Sequence, residues 1–454
     1  MRANMSSTAS APASVSGDLA LLGTLLGVAL VLGGGGVGAP LLNLGVQLFA
    51  VAVLAVHCLR PSIAPASPDR AFKVLMVITL ALPIAQAVPL PSGLWSILPG
   101  RDLIAESLAV IDGVGVWAPV SVSPLRTLLA ATALLPALAV IITITRLPTS
   151  AHSAAKVLKL VAALGGATVL AGAAQLAVAN SHFNLYPGAF GFQLYGFFAN
   201  HNSAGLALVC ALCAVIGLIG LPTASPPGRW AGAGLAATLV IGVLLTQSRS
   251  SALLLAIPAV QALAIFGRGL AGRTKLVVIA ALAGVGVSTV WVLTMPESAG
   301  RLGQVAQHYR TSGFDRHDIW ADAWASATRF WPIGSGIGTF DTVFQVDESL
   351  ETLIAPRAGR AHDEYLELAI EAGIAGVAIA TAWLVWLVVA MRKTRWPREA
   401  MAVRGACAAI VACFLIQALV DYPFRSQALA CIAACVIGIL ATPFQPPSQK
   451  TLYD

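Results

Sequence analysis

Apolar runs of membrane-crossing length dominate the chain. A helix needs about 20 residues to traverse ~30 Å of hydrocarbon. Segments of that kind recur at 17–36, 38–59, 71–92, 126–146, 154–179, 202–220, 231–247, 250–267, 275–295, 363–391, 402–420 and 426–443. They predict about twelve spans, read as helices because lipid leaves no partner for an unpaired backbone group. Only Thr246 to Ser251 separates the halves of 231–267, so that stretch also fits a re-entrant or broken pair. Two polar stretches interrupt the pattern, at 93–125 and at 295–361. In the second, Ile319, Trp320, Ala323, Trp324 and Ala327 recur at helical spacing. They predict an amphipathic helix lying on the outer bilayer surface and stopped by Pro332. Gly334-Ser335-Gly336-Ile337-Gly338 reads as a tight turn, because a phosphate-cradling loop needs a strand–turn–helix setting. The fold class is an all-α polytopic membrane protein with about twelve transmembrane helices and one large, partly helical outer loop.

Composition agrees: 57% of residues are hydrophobic and 10% charged, where soluble domains run near half and a quarter. Charge sets the orientation. With the N-terminus in the cytoplasm, inner loops receive Arg60, Arg70, Lys73, Arg146, Lys156, Lys159, Arg229, Arg268, Arg273, Lys275, Arg392, Lys393, Arg395, Arg398 and Arg404. This positive-inside bias places both termini inside. It also accounts for the net charge of +7, which therefore gives no support to nucleic-acid binding. Residues 1–16 read as a cytoplasmic tail, with a signal peptide headed by Arg2 as the alternative. The seven cysteines (58, 210, 213, 407, 413, 431 and 435) lie in or beside apolar segments and imply no disulfide framework. The aromatic 180–201 stretch fits either an outer lip for lipid or sugar, or an interfacial belt.

Chemistry therefore concentrates at one face. The outer stretch carries Arg310, Arg316, Arg357, Arg360 and His362, and Ser248-Arg249-Ser250 sits at the edge of a span. Span interiors are nearly charge-free and no repeat is visible, whereas transporters commonly show internal repeats or mid-bilayer charges. A one-sided enzyme is the favoured class; a lipid-linked glycan transporter or flippase is the alternative from another class.

Four motifs add a resemblance. Gly196-Phe197-Phe198-Ala199-Asn200-His201-Asn202 precedes a span, and Ser248-Arg249-Ser250-Ser251-Ala252-Leu253 follows one. Arg316 to Phe340 contains Trp320, Pro332, Gly334, Gly336 and Gly338, and His362 to Gly373 is followed at a distance by Asp421-Tyr422-Pro423. In these the chain resembles the O-antigen ligase and O-antigen polymerase superfamily over about residues 190 to 440. It departs from the family at Asp363, where Asn, Ser or Gln often follows the histidine.

The resemblance implies a bacterial inner-membrane glycosyltransferase, inverting and metal-independent, with no cofactor and a site facing the periplasm. The donor would be an undecaprenyl-pyrophosphate-linked glycan. The acceptor would be lipid A–core for a ligase, or a second lipid-linked glycan for a polymerase of O-antigen or exopolysaccharide repeats. The implied domains are a 1–16 tail, a 17–190 bundle with loop 93–125, a ligase-like region 191–443 with loop 295–361, and a 444–454 tail.

Residue chemistry fits that implication. Loss of a pyrophosphate needs charge stabilisation, and arginine grips phosphate oxygens through two bonds; Arg249 and Arg316 are the catalytic candidates. His362 has the intrinsic acidity of a general base near neutral pH. Asp363 is expected to orient it. Arg357, Arg360, Asn200, Asn202 and Trp320 are weaker candidates for donor or glycan binding.

Overall fold

The computed structural model describes residues 13–60, 67–111, 113, 115–178, 184–186, 193–267, 272, 316–351, 359–393 and 396–442. The first half contains α1 (Ala13–Leu32), α2 (Pro40–Leu59), α3 (Arg70–Gln86), α4 (Ser92–Trp95), α5 (Asp102–Val110), α6 (Pro124–Thr132), α7 (Leu135–Thr145) and α8 (Ala151–Val178). There follow α9 (His201–Ile219), α10 (Pro226–Leu245), α11 (Arg249–Leu254) and α12 (Ala256–Phe266). The last part holds α13 (Arg316–Phe330), α14 (Phe340–Asp347), α15 (Glu364–Lys393), α16 (Met401–Gln417) and α17 (Gln427–Ala441). Sheet is confined to β1 (Pro89–Leu90) and β2 (Ala118–Pro119), antiparallel with Pro89 opposite Pro119.

Among the described residues nine helices are long and apolar enough to cross a membrane, and α17 is a shorter apolar one. The predicted 71–92 span is occupied by α3, which at 17 residues is not among these nine, and residues 89–90 of that stretch form β1. The predicted span 275–295 lies outside the described residues. The 231–267 region resolves as α10 followed by the α11–α12 pair, turning at Gln247, whose φ is +55°.

One helix organises the bundle. α9 is apolar on all sides and almost wholly buried, whereas most of α10 is not. A helix without a polar face belongs in the interior, and α8, α10 and α16 surround this one. Small residues permit the close approach: a Cβ on Gly205 would stand 2.3 Å from Ser251 Oγ, and one on Gly217 2.7 Å from Ala406 Cβ. The side chain of Asn200 caps α9 by accepting from Asn202 N–H at 2.8 Å. Within the 180–201 stretch, Tyr186, Leu194 and Phe198 are buried in the protein.

A second, smaller core lies at the end of the bundle where α13 and α14 pack on the first turns of α15. It contains Ile319, Ala323, Ala327, Phe330, Phe340, Phe344, Ala361 and Ile370. The predicted apolar stripe of α13 is therefore real, but its Ile319–Ala323–Ala327 edge faces protein rather than lipid, while Trp324 is exposed. Arg101 fastens the 93–125 stretch to this core. It is 1% exposed and donates to the carbonyls of Pro99 (2.7 Å), Gly334 (2.9 Å) and Val120. Burial, with the charge of Arg329 in support, pushes its pKa down to about 10.

α15 was predicted as one span and is two helices run together. Gly373 has φ +53° and ψ −143°, a conformation open to glycine and strained for other residues. Pro332 O accepts from Ile374 N–H at 2.9 Å and would stand 2.1 Å from a Cβ at Gly373. The Trp331–Gly338 turn is thereby seated on the break.

Candidate functional site

His362 lies just ahead of α15, and the chain around it is held from three directions. Trp320 Nε1–H, from α13, donates to Ala361 O at 2.9 Å. Ala361 N–H donates to Glu367 Oε2 at 3.3 Å. Asp363 Oδ1 accepts from the N–H groups of Tyr365 (2.9 Å) and Leu366 (3.0 Å), which caps α15. His362 itself has φ +51°, a left-handed conformation uncommon outside glycine. A residue so strained persists when its surroundings over-determine it, and such positions cluster at functional sites.

The carboxylate beside the imidazole is Asp421. Its Oδ1 stands 3.6 Å from His362 Nδ1, with side-chain exposures of 3% and 26%. Both atoms are buried and neither has another hydrogen-bond partner among the described residues. They face each other slightly beyond hydrogen-bond length, as catalytic pairs often do before substrate binds. Asp363, the expected orienting acid, is occupied as a helix cap. The Tyr422 ring packs edge-on against the imidazole, centroids 5.1 Å apart. Burial first, then the charge of Asp421, raises the Tyr422 phenol to about 12, and its hydroxyl bonds the side chain of Asn200.

A polar chain runs from Asp421 to the start of α11. Gln417 Nε2–H reaches Asp421 Oδ2 (3.4 Å) and Ser250 Oγ (3.1 Å). Ser248 Oγ donates to Asn202 Oδ1 at 2.7 Å, lies 2.9 Å from Ser251 Oγ, and accepts from Ser251 N–H. Arg249 is exposed as the first residue of α11, directly after this serine hub. The structure thus brings Arg249, Asn200, Asn202, Trp320, His362 and Asp421 to one end of the bundle through one set of contacts. Arg316 opens α13 one turn before Trp320. Arg357 lies outside the described residues.

Beneath the histidine sits a buried charge cluster. Glu364, Glu367 and Glu371 recur at i, i+3 and i+7 on α15, so they share one face. Arg425 meets all three, at 2.8, 3.4 and 2.9 Å respectively. Arg360 Nη1 pairs with Glu367 Oε1 at 2.5 Å, which gives this expected glycan-binding residue a structural partner. Burial alone would lower the Arg425 pKa; the carboxylates of Glu371, Glu367 and Glu364 outweigh it and hold the guanidinium well above the usual arginine value. Glu371 Oε1 also accepts from Phe340 N–H at 3.1 Å, tying α14 to the cluster. The segment carrying Asp421 and Tyr422 is thus clamped to the helix that follows His362.

Sequence reasoning placed Asp421 and Tyr422 only as an echo of the C-terminal spans, weighed Glu367 only as a zinc partner of His362 with too few further ligands, and passed over Arg425 and Glu371. The signal was three acids at helical spacing at the start of an otherwise apolar run, with one arginine in the turn that follows α16.

No curated protein matches the chain. Residues 234–381, which include Arg249, Arg316, Trp320 and His362, match the family model described as O-Antigen ligase. With its apolar helices this makes the chain a multi-pass membrane protein, and the match supports its membership of the O-antigen ligase superfamily, with the ligase or polymerase type of function general to that family.

Proposed function

We propose that the chain transfers a preassembled glycan from an undecaprenyl-pyrophosphate carrier to an acceptor hydroxyl at the periplasmic face of a bacterial inner membrane. The observation that carries this reading is the His362–Asp421 pair, two buried atoms 3.6 Å apart with no other partner among the described residues. Asp421 fixes the imidazole through Nδ1 and leaves Nε2 as the atom that takes the acceptor proton. The acceptor oxygen then attacks the anomeric carbon opposite the leaving group. A carbon–oxygen bond forms to the acceptor, the bond to the pyrophosphate oxygen breaks, and the configuration inverts. The electron pair leaves with the carrier pyrophosphate. Arg249 and Arg316 stabilise that charge, a role in which one preorganised donor contributes about 3 kcal/mol. Asn200, Tyr422 and Trp320 shape the surroundings, and no step requires a nucleotide sugar.

A ligase acting on lipid A–core is the first reading, and polymerisation onto a second lipid-linked glycan shares every chemical step. Complementation of a deletion strain tests both. Wild type should restore surface glycan, while well-expressed Arg249→Ala, Arg316→Ala and His362→Ala should not. The product missing in the deletion separates the two: unattached long chains mark a ligase, single attached repeats a polymerase. Full complementation by all three variants would remove the catalytic assignment and return transport to the front.

A further inference from the structure

The end of the bundle remote from His362 holds a crevice of about 690 Å³ between α8, the end of α9 and the start of α10. Its size lies within the range of about 300–1,000 Å³ typical of sites for small molecules. It is not part of the site above: Asn200 and Ser248, which belong to that site, stand at the opposite ends of α9 and α10.

The lining is divided by depth. α8 has 28 residues and is therefore about 42 Å long, some 12 Å more than the hydrocarbon. From Leu160 to Val178 it has no charged residue, a length of about 28 Å, so Lys159 falls at the hydrocarbon boundary. Ala162, Ala163 and Leu235 line the crevice on the apolar side of that level, Leu235 packing against Gly166 of α8. Lys159 and Glu399 line its mouth, with His152 two turns before the lysine on the same face of α8. Lys159 and Glu399 are both exposed, so their charges are held in reach of a headgroup.

We propose that this crevice binds one aminophospholipid of the leaflet remote from His362, with an acyl chain along the apolar wall and the headgroup at the mouth. The fixed charges select the occupant. One ammonium and one carboxylate complement a phosphate and a primary ammonium, the pair that phosphatidylethanolamine presents. Phosphatidylglycerol offers Glu399 no cation, and phosphatidylcholine offers a cation without an N–H to donate. The inference is independent of the proposed transfer reaction.

Native mass spectrometry of the full-length protein, released from micelles doped in turn with each of these three lipids, reads the preference directly. Phosphatidylethanolamine should be retained as a single adduct at least about fivefold more abundantly than either rival, a margin of about 1 kcal/mol. Glu399→Gln should erase the margin over phosphatidylglycerol, Lys159→Gln should lower retention of all three, and Ala163→Phe should fill the crevice and lower it too. All three positions are exposed, so the variants should fold, and monodisperse elution checks this. Equal retention of the three lipids by wild type, or a wild-type pattern in folded Glu399→Gln and Ala163→Phe, would overturn the assignment.

Discussion

Replacing Arg425 with glutamine should destabilise the protein by about 3–5 kcal/mol, the usual consequence of removing one partner from a buried ion pair. The three carboxylates do not lose equally. Glu367 keeps Arg360 at 2.5 Å and the Ala361 N–H. Glu364, 12% exposed, keeps the Phe424 N–H at 3.3 Å. Glu371 is fully buried and is left with the Phe340 N–H alone against a full negative charge. Most of the loss therefore belongs to Glu371, and a second substitution should recover much of it. Glu371→Gln removes the stranded charge while its amide oxygen still accepts from Phe340, so the double variant should regain about 2 kcal/mol. Arg425→Lys should fall between, because one ammonium cannot serve three carboxylates spread over two turns. Reversible unfolding in mixed micelles, followed by tryptophan fluorescence, measures all four proteins. If Arg425→Gln lies within about 1 kcal/mol of wild type, or the double variant is less stable than the single, the clamp is not what holds this end of α15.

Three further outcomes are expected. Asp421→Asn should accumulate normally yet lower the rate of glycan transfer by about 10²–10⁴-fold, as loss of the orienting acid does in comparable triads; in-vitro transfer with purified donor and acceptor reads it. Gly373→Ala should cost at least about 2 kcal/mol, since its Cβ would overlap Pro332 O at a φ of +53°, and a thermal-unfolding scan would detect this. The Tyr422 phenol, raised to about 12 from an ordinary 10, favours the neutral form in the folded state. Stability from this group should be complete below pH 10 and lost as pH rises through about 12, and Tyr422→Phe should flatten that part of the pH–stability curve.

The helical spans were legible because a hydrophobic run of membrane length has one stable form in lipid. α13 was legible too, since Ile319, Ala323 and Ala327 share a face at any orientation of the helix. What that face would touch was not: only the fold brings Phe340, Phe344 and Ile370 against it, turning an expected lipid contact into a protein core. The same limit governed the site. Asp363 is the sequence neighbour of His362, but a short side chain just before a helix is drawn to the unpaired N–H groups there. The acid that meets the imidazole comes from 59 residues further on, between two helices that α9 and α15 hold together. The span interiors looked nearly uncharged, and the exceptions Glu367 and Glu371 are tolerated because Arg425 reaches them from a separate turn.

The helices that end around His362 are unequal in length to those at the perimeter. α17 has 15 residues and α9 has 19, so they reach about 22 and 28 Å, whereas α8 extends to about 42 Å. Protein, not lipid, surrounds both short helices, so the bilayer need not thin to match them. The deficit instead recesses the turn that opens α17, and with it Asp421 and Tyr422, toward the level of the ~30 Å hydrocarbon layer. A carrier-borne pyrophosphate could then reach the histidine by a shallow descent, with its isoprenoid tail still in the membrane.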